Sequence, residues 1–382
     1  MNYNDEFLNP SDIEKRNAQR AKDLAEVFYK DFYNQESQEL LFNVPNNRGL
    51  SSAWEYTGLM SMTDKLAKLD KTYIPLLDRV IEGLEYYGFV KDGNLWGYVV
   101  KRGDKPLGAT DPGLAYDDNI WLTINFLRAY ELTGNTAYLN KAEFLIRFIL
   151  DEAWFEPLGG IFWDSRKEAR HSCSNNPAIK PLADLYKHTK NEFYLNWAKK
   201  IYDFSITLKD TELNVYHDLV HAHQNENGQW VEGTPGGGYY SYNTGAMISG
   251  AAALYGVTGD QKYLVEALSA AKGAFDYFGN KHIVEGYMGF PVSTTIWFNT
   301  ILLTGYLELY LYAKKEAVTY IDAYQKSMDY AYDNFSKDGY MPIDWLAGWQ
   351  DNDKNNFKEA LDHSSNIEMY ALLAIFEKEL KQ

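Results

Sequence analysis

The chain is nearly devoid of cysteine, has no long apolar run and is short of positive charge, and each shortage excludes something. Among 382 residues there is one cysteine, Cys173, so no internal disulfide can form and the fold cannot depend on oxidation. No apolar stretch approaches the roughly 20 residues that a membrane-spanning helix needs, so no membrane partner is expected. Lys and Arg total 37 against 53 Asp and Glu, a net charge of -16. Such a surface repels a nucleic acid duplex, and a neutral partner is expected instead. The glycines Gly236-Gly237-Gly238 are followed by no Lys-Ser/Thr, which excludes a phosphate loop. His217 and His221 have the i, i+4 spacing of helical zinc ligands, but no Glu follows His217. Neither a metal nor another cofactor is therefore expected. The first residues, Met1-Asn2-Tyr3-Asn4-Asp5-Glu6, are polar and acidic and do not read as a signal peptide. The expectation is a cytoplasmic protein, or a secreted or cell-surface one if a native signal has been removed.

What the chain has in excess is aromatic residues: 16% of the total, including 31 Tyr and 10 Trp. Most of them are expected in the core. Rings beside loops at a site have a second use, because a flat ring stacks on the apolar C–H face of a pyranose. Hydrophobic residues at 46% and charged residues at 24% mark an ordinary globular composition, and no linker or composition break divides the chain. One domain over residues 1–382 and a monomer are expected.

A segment recurs. It reads Ala129-Tyr130-Glu131-Leu132-Thr133-Gly134 with Tyr138-Leu139, then Leu185-Tyr186-Lys187-His188-Thr189-Lys190 with Tyr194-Leu195, then Leu254-Tyr255-Gly256-Val257-Thr258-Gly259 with Tyr263-Leu264. Each copy reads as a helix end, a turn with a left-handed cap, and the next helix start. Helical periodicity places about twelve segments, near 12–33, 54–69, 72–87, 117–133, 137–151, 177–189, 192–208, 244–258, 261–278, 294–314, 316–335 and 364–381. The segment 244–258 carries no charge, while its successor is charged along one face. A helix apolar all round is buried and a one-sided helix faces water. Their alternation predicts an all-α fold, an (α/α)6 barrel with six inner helices inside six outer ones.

In such a barrel every inner helix starts at the same rim. The residues there are Ser52-Ala53-Trp54, Tyr116-Asp117-Asp118, Ser174-Asn175-Asn176, Tyr242-Asn243-Thr244, Ser293-Thr294-Thr295 and His363-Ser364-Ser365. Helix capping favours Ser, Thr, Asp and Asn at such places, and a lone Asp-Asp pair there can be a cap plus a dipole partner. The alternative is a pair of working carboxyls. Residues i and i+1 do not face one another within a helix, so the pair is expected where the first residue has non-helical angles. Close like charges raise one pKa, which an acid/base needs. Asp164, Glu232 and Asp344 read as surface or turn residues.

The stretch Tyr116-Asp117-Asp118-Asn119-Ile120-Trp121, followed by Arg128-Ala129-Tyr130-Glu131-Leu132-Thr133-Gly134, resembles glycoside hydrolase family 76, the endo-α-1,6-mannanases. So do Gly159-Gly160-Ile161-Phe162-Trp163, Ser174-Asn175-Asn176-Pro177-Ala178 and Tyr242-Asn243-Thr244-Gly245, over roughly residues 50–310. The chain departs from the family at Leu122, where a second aromatic is usual, and at Asn176, where Gly is frequent. The resemblance implies an (α/α)6 barrel and a retaining hydrolase of α-1,6-mannosides. It implies Asp117 as nucleophile and Asp118 as acid/base. Asp218 follows Tyr216-His217 in a loop, as a family Asp does. Expected substrate-binding residues are Trp54, Trp96, Tyr116, Trp163, Asn175, Asn176, Asp218, Tyr242 and Asn243, with Trp230 as a further ring. The competing readings are another toroid sugar enzyme, either an epimerase using histidine bases or an unsaturated uronide hydrolase, and a glycan-binding toroid without turnover.

Overall fold

The computed structural model describes residues 13–45, 49–280, 283–292, 294–349 and 358–380. The polar segment Met1–Glu6 and the rim residue Ser293 lie outside these. Twelve α-helices run through the described residues: α1 Ile13–Asp31, α2 Ala53–Leu69, α3 Ile74–Leu84, α4 Tyr116–Thr133, α5 Thr136–Ala153, α6 Ser172–Thr189, α7 Glu192–Ile206, α8 Ser241–Thr258, α9 Gln261–Phe278, α10 Trp297–Tyr310, α11 Lys314–Phe335 and α12 Ala360–Leu380. Each corresponds to one segment of the periodicity. The starts differ most at α6, which begins five residues before Pro177 and keeps Pro177 and Pro181 inside it. Proline favours a helix's first turn, which is why the pattern suggested a start at 177.

The repeated segment is the hairpin between paired helices. Gly134, Lys190 and Gly259 are the C-caps of α4, α6 and α8, all in the left-handed region at φ 71°, 58° and 70°. The next residue in each case, Asn135, Asn191 or Asp260, caps the following helix by accepting a backbone N–H two residues on. One residue stops a helix and the next starts its partner, so the chain reverses within a short turn.

The even-numbered helices form a closed inner ring. Each packs against the next, and α12 packs against α2. The odd-numbered helices lie outside: α3 on α2, α5 on α4, α7 on α6, α9 on α8, α11 on α10, and α1 on α12. In α12 every residue from Ala360 to Glu377 is buried. The seam is polar and long-range: Asn17 Nδ2 donates to Gln325 Oε1 at 2.8 Å, and Ser61 Oγ donates to Glu368 Oε1 at 2.6 Å. On the other side of the ring, backbones touch. A Cβ on Gly245 of α8 would lie 2.6 Å from Leu302 Cα of α10, and one on Gly305 would lie 2.6 Å from Gly245 O. Glycine is required at this crossing because no side chain fits.

Short antiparallel strands decorate the rim, which the all-helical reading did not include. They are fastened by buried asparagines near the inner-helix starts. Asn119 accepts Tyr98 N at 2.9 Å and donates to Tyr98 O and Ala115 O. Asn175 does the same with Ile161 N at 2.7 Å, Ile161 O and His171 O. An amide side chain offers both a donor and an acceptor, so it can close on a strand backbone as another strand would.

Candidate active site

Helix α4 starts after Ala115, whose extended backbone carries no side-chain cap. Asp117 and Asp118 are thus both helical, in the first turn, and neither is the N-cap. This corrects the expectation of non-helical angles at the first aspartate. Adjacent helical positions point about 100° apart, and the two carboxyls accordingly meet different neighbours.

Asp117 faces α6 and the loop before it. Its Oδ2 accepts Trp163 Nε1 at 3.2 Å and its Oδ1 accepts Asp118 N at 3.0 Å. Burial pushes its carboxyl up to about 6, while Cys173, Trp163, the Asp118 amide and the nearby His171 hold it back. Asp118 faces α2 and is 8% exposed. Burial raises its pKa well above the carboxylate range, and the charges of Asp117 and Glu55 raise it further, with no hydrogen bond offsetting them. Glu55 is fixed by the start of α2, where its Oε2 accepts Ser52 N and Ser52 Oγ at 2.6 Å each. The anion is therefore disfavoured less at Asp117 than at Asp118.

The neighbours of Asp117 form a linked set. Trp163 and His171 lie on one face of a strand pair, ring centroids 5.1 Å apart. His171 Nδ1 is 3.4 Å from Asp218 Oδ2, and Asn243 Nδ2 donates to Asp218 Oδ1 at 3.0 Å. Cys173 is buried between Asp117 and Tyr242, and burial together with the charges of Asp117 and Asp218 pushes its thiol up. Across the mouth stands an aromatic wall. Trp297 contacts Trp121 at 4.9 Å, Trp54 at 5.8 Å and Tyr242 at 6.0 Å, and Tyr242 stacks on Phe298 at 4.0 Å.

Of the residues singled out in the sequence, Trp163, Asp218 and Tyr242 are brought together around Asp117, and Trp54 joins them through Trp297 and Phe298. Others do not. Tyr116 is fully buried, and its backbone N bonds Trp163 O at 2.8 Å. Asn175, Asn176 and Asn243 are 0% exposed. Asn175 is occupied by backbone, Asn176 donates to Asn243 O, and Asn243 orients Asp218. They support the site without facing it. Trp96 turns to the outer ring, against Phe89 and Phe148 of α5. Trp230 packs on Phe155, away from Trp163. His217 sits in the strand Val215–Val220 and His221 beyond it, its Nδ1 at Glu168 O, so their spacing is not the helical one. The sequence reading missed Glu55, Trp121, His171, Cys173, Trp297 and Phe298. Ser52-x-x-Glu55 is a capping-box pattern, and Trp297-Phe298 opens an apolar helix, so both looked purely structural.

A cavity of about 960 Å³ lies at the other end of the barrel. Its lining alternates Leu127, Leu307 and Leu372 with Lys65, Arg128, Lys180 and Glu308. The inner helices end there, and cations answer the negative ends of their dipoles.

Three comparisons bear on this arrangement. The family model described as Glycosyl hydrolase family 76 matches residues 17–378. Over 126 residues the chain is 29% identical to Mannan endo-1,6-alpha-mannosidase DCW1 of Candida albicans (strain SC5314), covering 31% of the chain and only 25% of that relative's length. The structure superposes on the family 76 mannosidase Bt3792 of Bacteroides thetaiotaomicron with TM-score 0.81 and 25% identity, covering 95% of this chain and 99% of that one. It also superposes on an inactive variant of the α-1,6-mannanase GH76A of Salegentibacter sp. HEL1_6, bound to α-1,6-mannotriose, with TM-score 0.76, covering 94% of this chain and 99% of that one. At 21% identity, that likeness shows the fold alone.

Proposed function

The chain belongs to glycosyl hydrolase family 76, and on that premise we propose that it is a retaining, endo-acting α-1,6-mannosidase with Asp117 as nucleophile and Asp118 as acid/base. The observation that carries this reading is the asymmetry of the pair: Asp117 receives N–H donors, while Asp118 is buried between two other carboxyls. Retaining enzymes need one carboxylate to attack and one carboxylic acid to protonate, about 5–5.5 Å apart. In the first step the Asp117 carboxylate attacks the anomeric carbon as the glycosidic bond breaks, and Asp118 gives its proton to the departing oxygen. In the second step Asp118, now a carboxylate, takes a proton from water. The resulting hydroxide attacks the anomeric carbon and releases Asp117. Two inversions leave the configuration unchanged.

The inactive Salegentibacter variant replaces two consecutive aspartates with asparagine, which accords with an adjacent pair as the working groups. The epimerase reading has less support, because His217 and His221 lie off the site and His171 is oriented by Asp218.

The test is incubation with linear α-1,6-mannooligosaccharides, with products followed by chromatography and anomeric NMR. Cleavage should release α-anomers first, and Asp117→Asn and Asp118→Asn should each abolish it. With an activated leaving group, Asp118→Asn should still form the glycosyl-enzyme, since no proton is then needed. Absence of cleavage by the unaltered protein, or a β-product, would overturn the reading.

A further inference from the structure

Behind the loop that carries Trp163 stands an exposed hairpin. The strands Ala222–Gln224 and Trp230–Glu232 pair with Trp230 opposite Gln224. Cross-strand partners share a face, so an indole and a primary amide stand side by side, both exposed. Trp230 is 41% exposed and the adjoining Val231 37%. Trp230 meets Phe155 at 5.0 Å with the ring planes perpendicular.

The hairpin is rigid at both ends. At its base, Arg170 is almost wholly buried and grips both oxygens of Glu232 at 2.9 Å, while its other nitrogen donates to Gly159 O at 2.8 Å. Both carboxylate oxygens share the one nitrogen Nη2, a charge-assisted contact that ties the strand end to the buried guanidinium. At its tip, Asn225 Oδ1 accepts Asn227 N and Gln229 N at 3.0 Å each. Holding a large apolar ring in water on a stiff support is unfavourable for stability alone. The charges of Arg170 and Glu232 are spent on each other, and the residue paired with the ring across the strands is the neutral amide Gln224.

The position is also informative. Phe162 and Arg170 face Phe155, with ring distances of 5.3 and 5.2 Å, whereas Trp163 and His171 face Asp117 and Asp218. Trp230 therefore stands outside the cleft, on the opposite face of the strand pair that forms the cleft's edge.

We propose that Trp230 and Gln224 form an auxiliary platform that holds a neutral polysaccharide chain beside the cleft, the indole stacking on a sugar's C–H face and the amide bonding its hydroxyls. This rests on the function proposed above and extends it: the preferred substrate is a long polymer, held at two places. An anionic polymer is not the occupant, because the surface is acidic overall and the hairpin's turn adds Glu226. Each aromatic contact of this kind changes affinity by up to about tenfold.

The experiment compares Trp230→Ala, Gln224→Ala and Trp230→Phe with the unaltered chain in two assays. One is migration through a gel containing soluble α-1,6-mannan, in an Asp117→Asn background. The other is kcat/KM on the polymer against kcat/KM on α-1,6-mannotetraose. Trp230→Ala should weaken retardation and fall roughly five- to tenfold on polymer while keeping its mannotetraose rate, with Gln224→Ala intermediate and Trp230→Phe close to unaltered. Unchanged retardation in Trp230→Ala and Gln224→Ala, no retardation of the parent, or an equal loss on mannotetraose would overturn the platform. If the unaltered protein does not cut mannotetraose, the proposed activity fails instead, and the gel still decides the platform.

Discussion

Trp163 Nε1 donates to Asp117 Oδ2 at 3.2 Å, so the residue that walls the cleft also steadies the carboxylate beneath it. Removing that donor while keeping an aromatic ring separates the two roles. Trp163→Phe should raise the acidic limb of the kcat/KM profile above its starting point near pH 6, because the Asp117 anion loses a bond. The loss in kcat should be about tenfold or more. A profile with an unmoved acidic limb would mean that the indole only shapes the cleft.

The aspartate pair should cost stability at neutral pH. Asp117 is raised from 3.8 to about 6 in the folded chain. A carboxyl raised on folding contributes stability below its unfolded pKa, and that contribution is lost as pH rises through the folded value. Asp117→Asn should therefore melt higher than the parent at pH 7, by roughly 2 kcal/mol, and show little difference near pH 4. Paired melting curves at the two pH values read this directly.

His363 acts with the opposite sign. It is buried in the first turn of α12 beside Phe32 and Tyr340, and burial, with Lys358 adding to it, holds its pKa down to about 3. A depressed histidine contributes stability above its unfolded pKa of 6.5, lost as pH falls toward the folded value. His363→Gln should flatten the decline in melting temperature between pH 6.5 and pH 4, whatever its effect at neutrality. An unchanged slope would place the acid sensitivity elsewhere.

The α8–α10 crossing gives a steric prediction. Gly245→Ala puts a methyl 2.6 Å from Leu302 Cα and 2.8 Å from Ile301 O, and backbone cannot step aside as a side chain can. The expected loss is about 1–3 kcal/mol by denaturant titration. Gly236→Ala, with nothing within 4 Å, should stay within about 0.5 kcal/mol of the parent.

The helices were legible because burial writes itself into charge: α8 has none over its length, and its partner α9 has it along one side. The turns were legible through Thr133-Gly134 and Thr258-Gly259, where left-handed caps call for glycine. Lys190 takes the same conformation without being glycine, and only repetition revealed it. The aspartates could be read from their motif, and the resemblance implied a role for each, but the different surroundings of the two carboxyls could not be read, since they depend on Trp163 and Cys173 on one side and Glu55 on the other. The asparagines misled for a physical reason. Asn175 and Asn243 are polar residues at helix starts on a rim, yet their amides are consumed by Ile161, His171 and Asp218. Trp96 misled because a strand alternates faces, and its face meets α5.

The polar seam also fixes when the protein can fold. Ser61 waits for Glu368, 307 residues later, and Asn17 for Gln325, 308 later. At typical elongation rates that interval is on the order of tens of seconds. Throughout it the side of α2 that carries Ser61 has no α12 to pack on, so a ribosome-bound chain carries an open edge until nearly the last helix emerges. A barrel stitched from local hairpins is thus completed only by its most distant contacts, and a newly made chain must be sheltered for that interval.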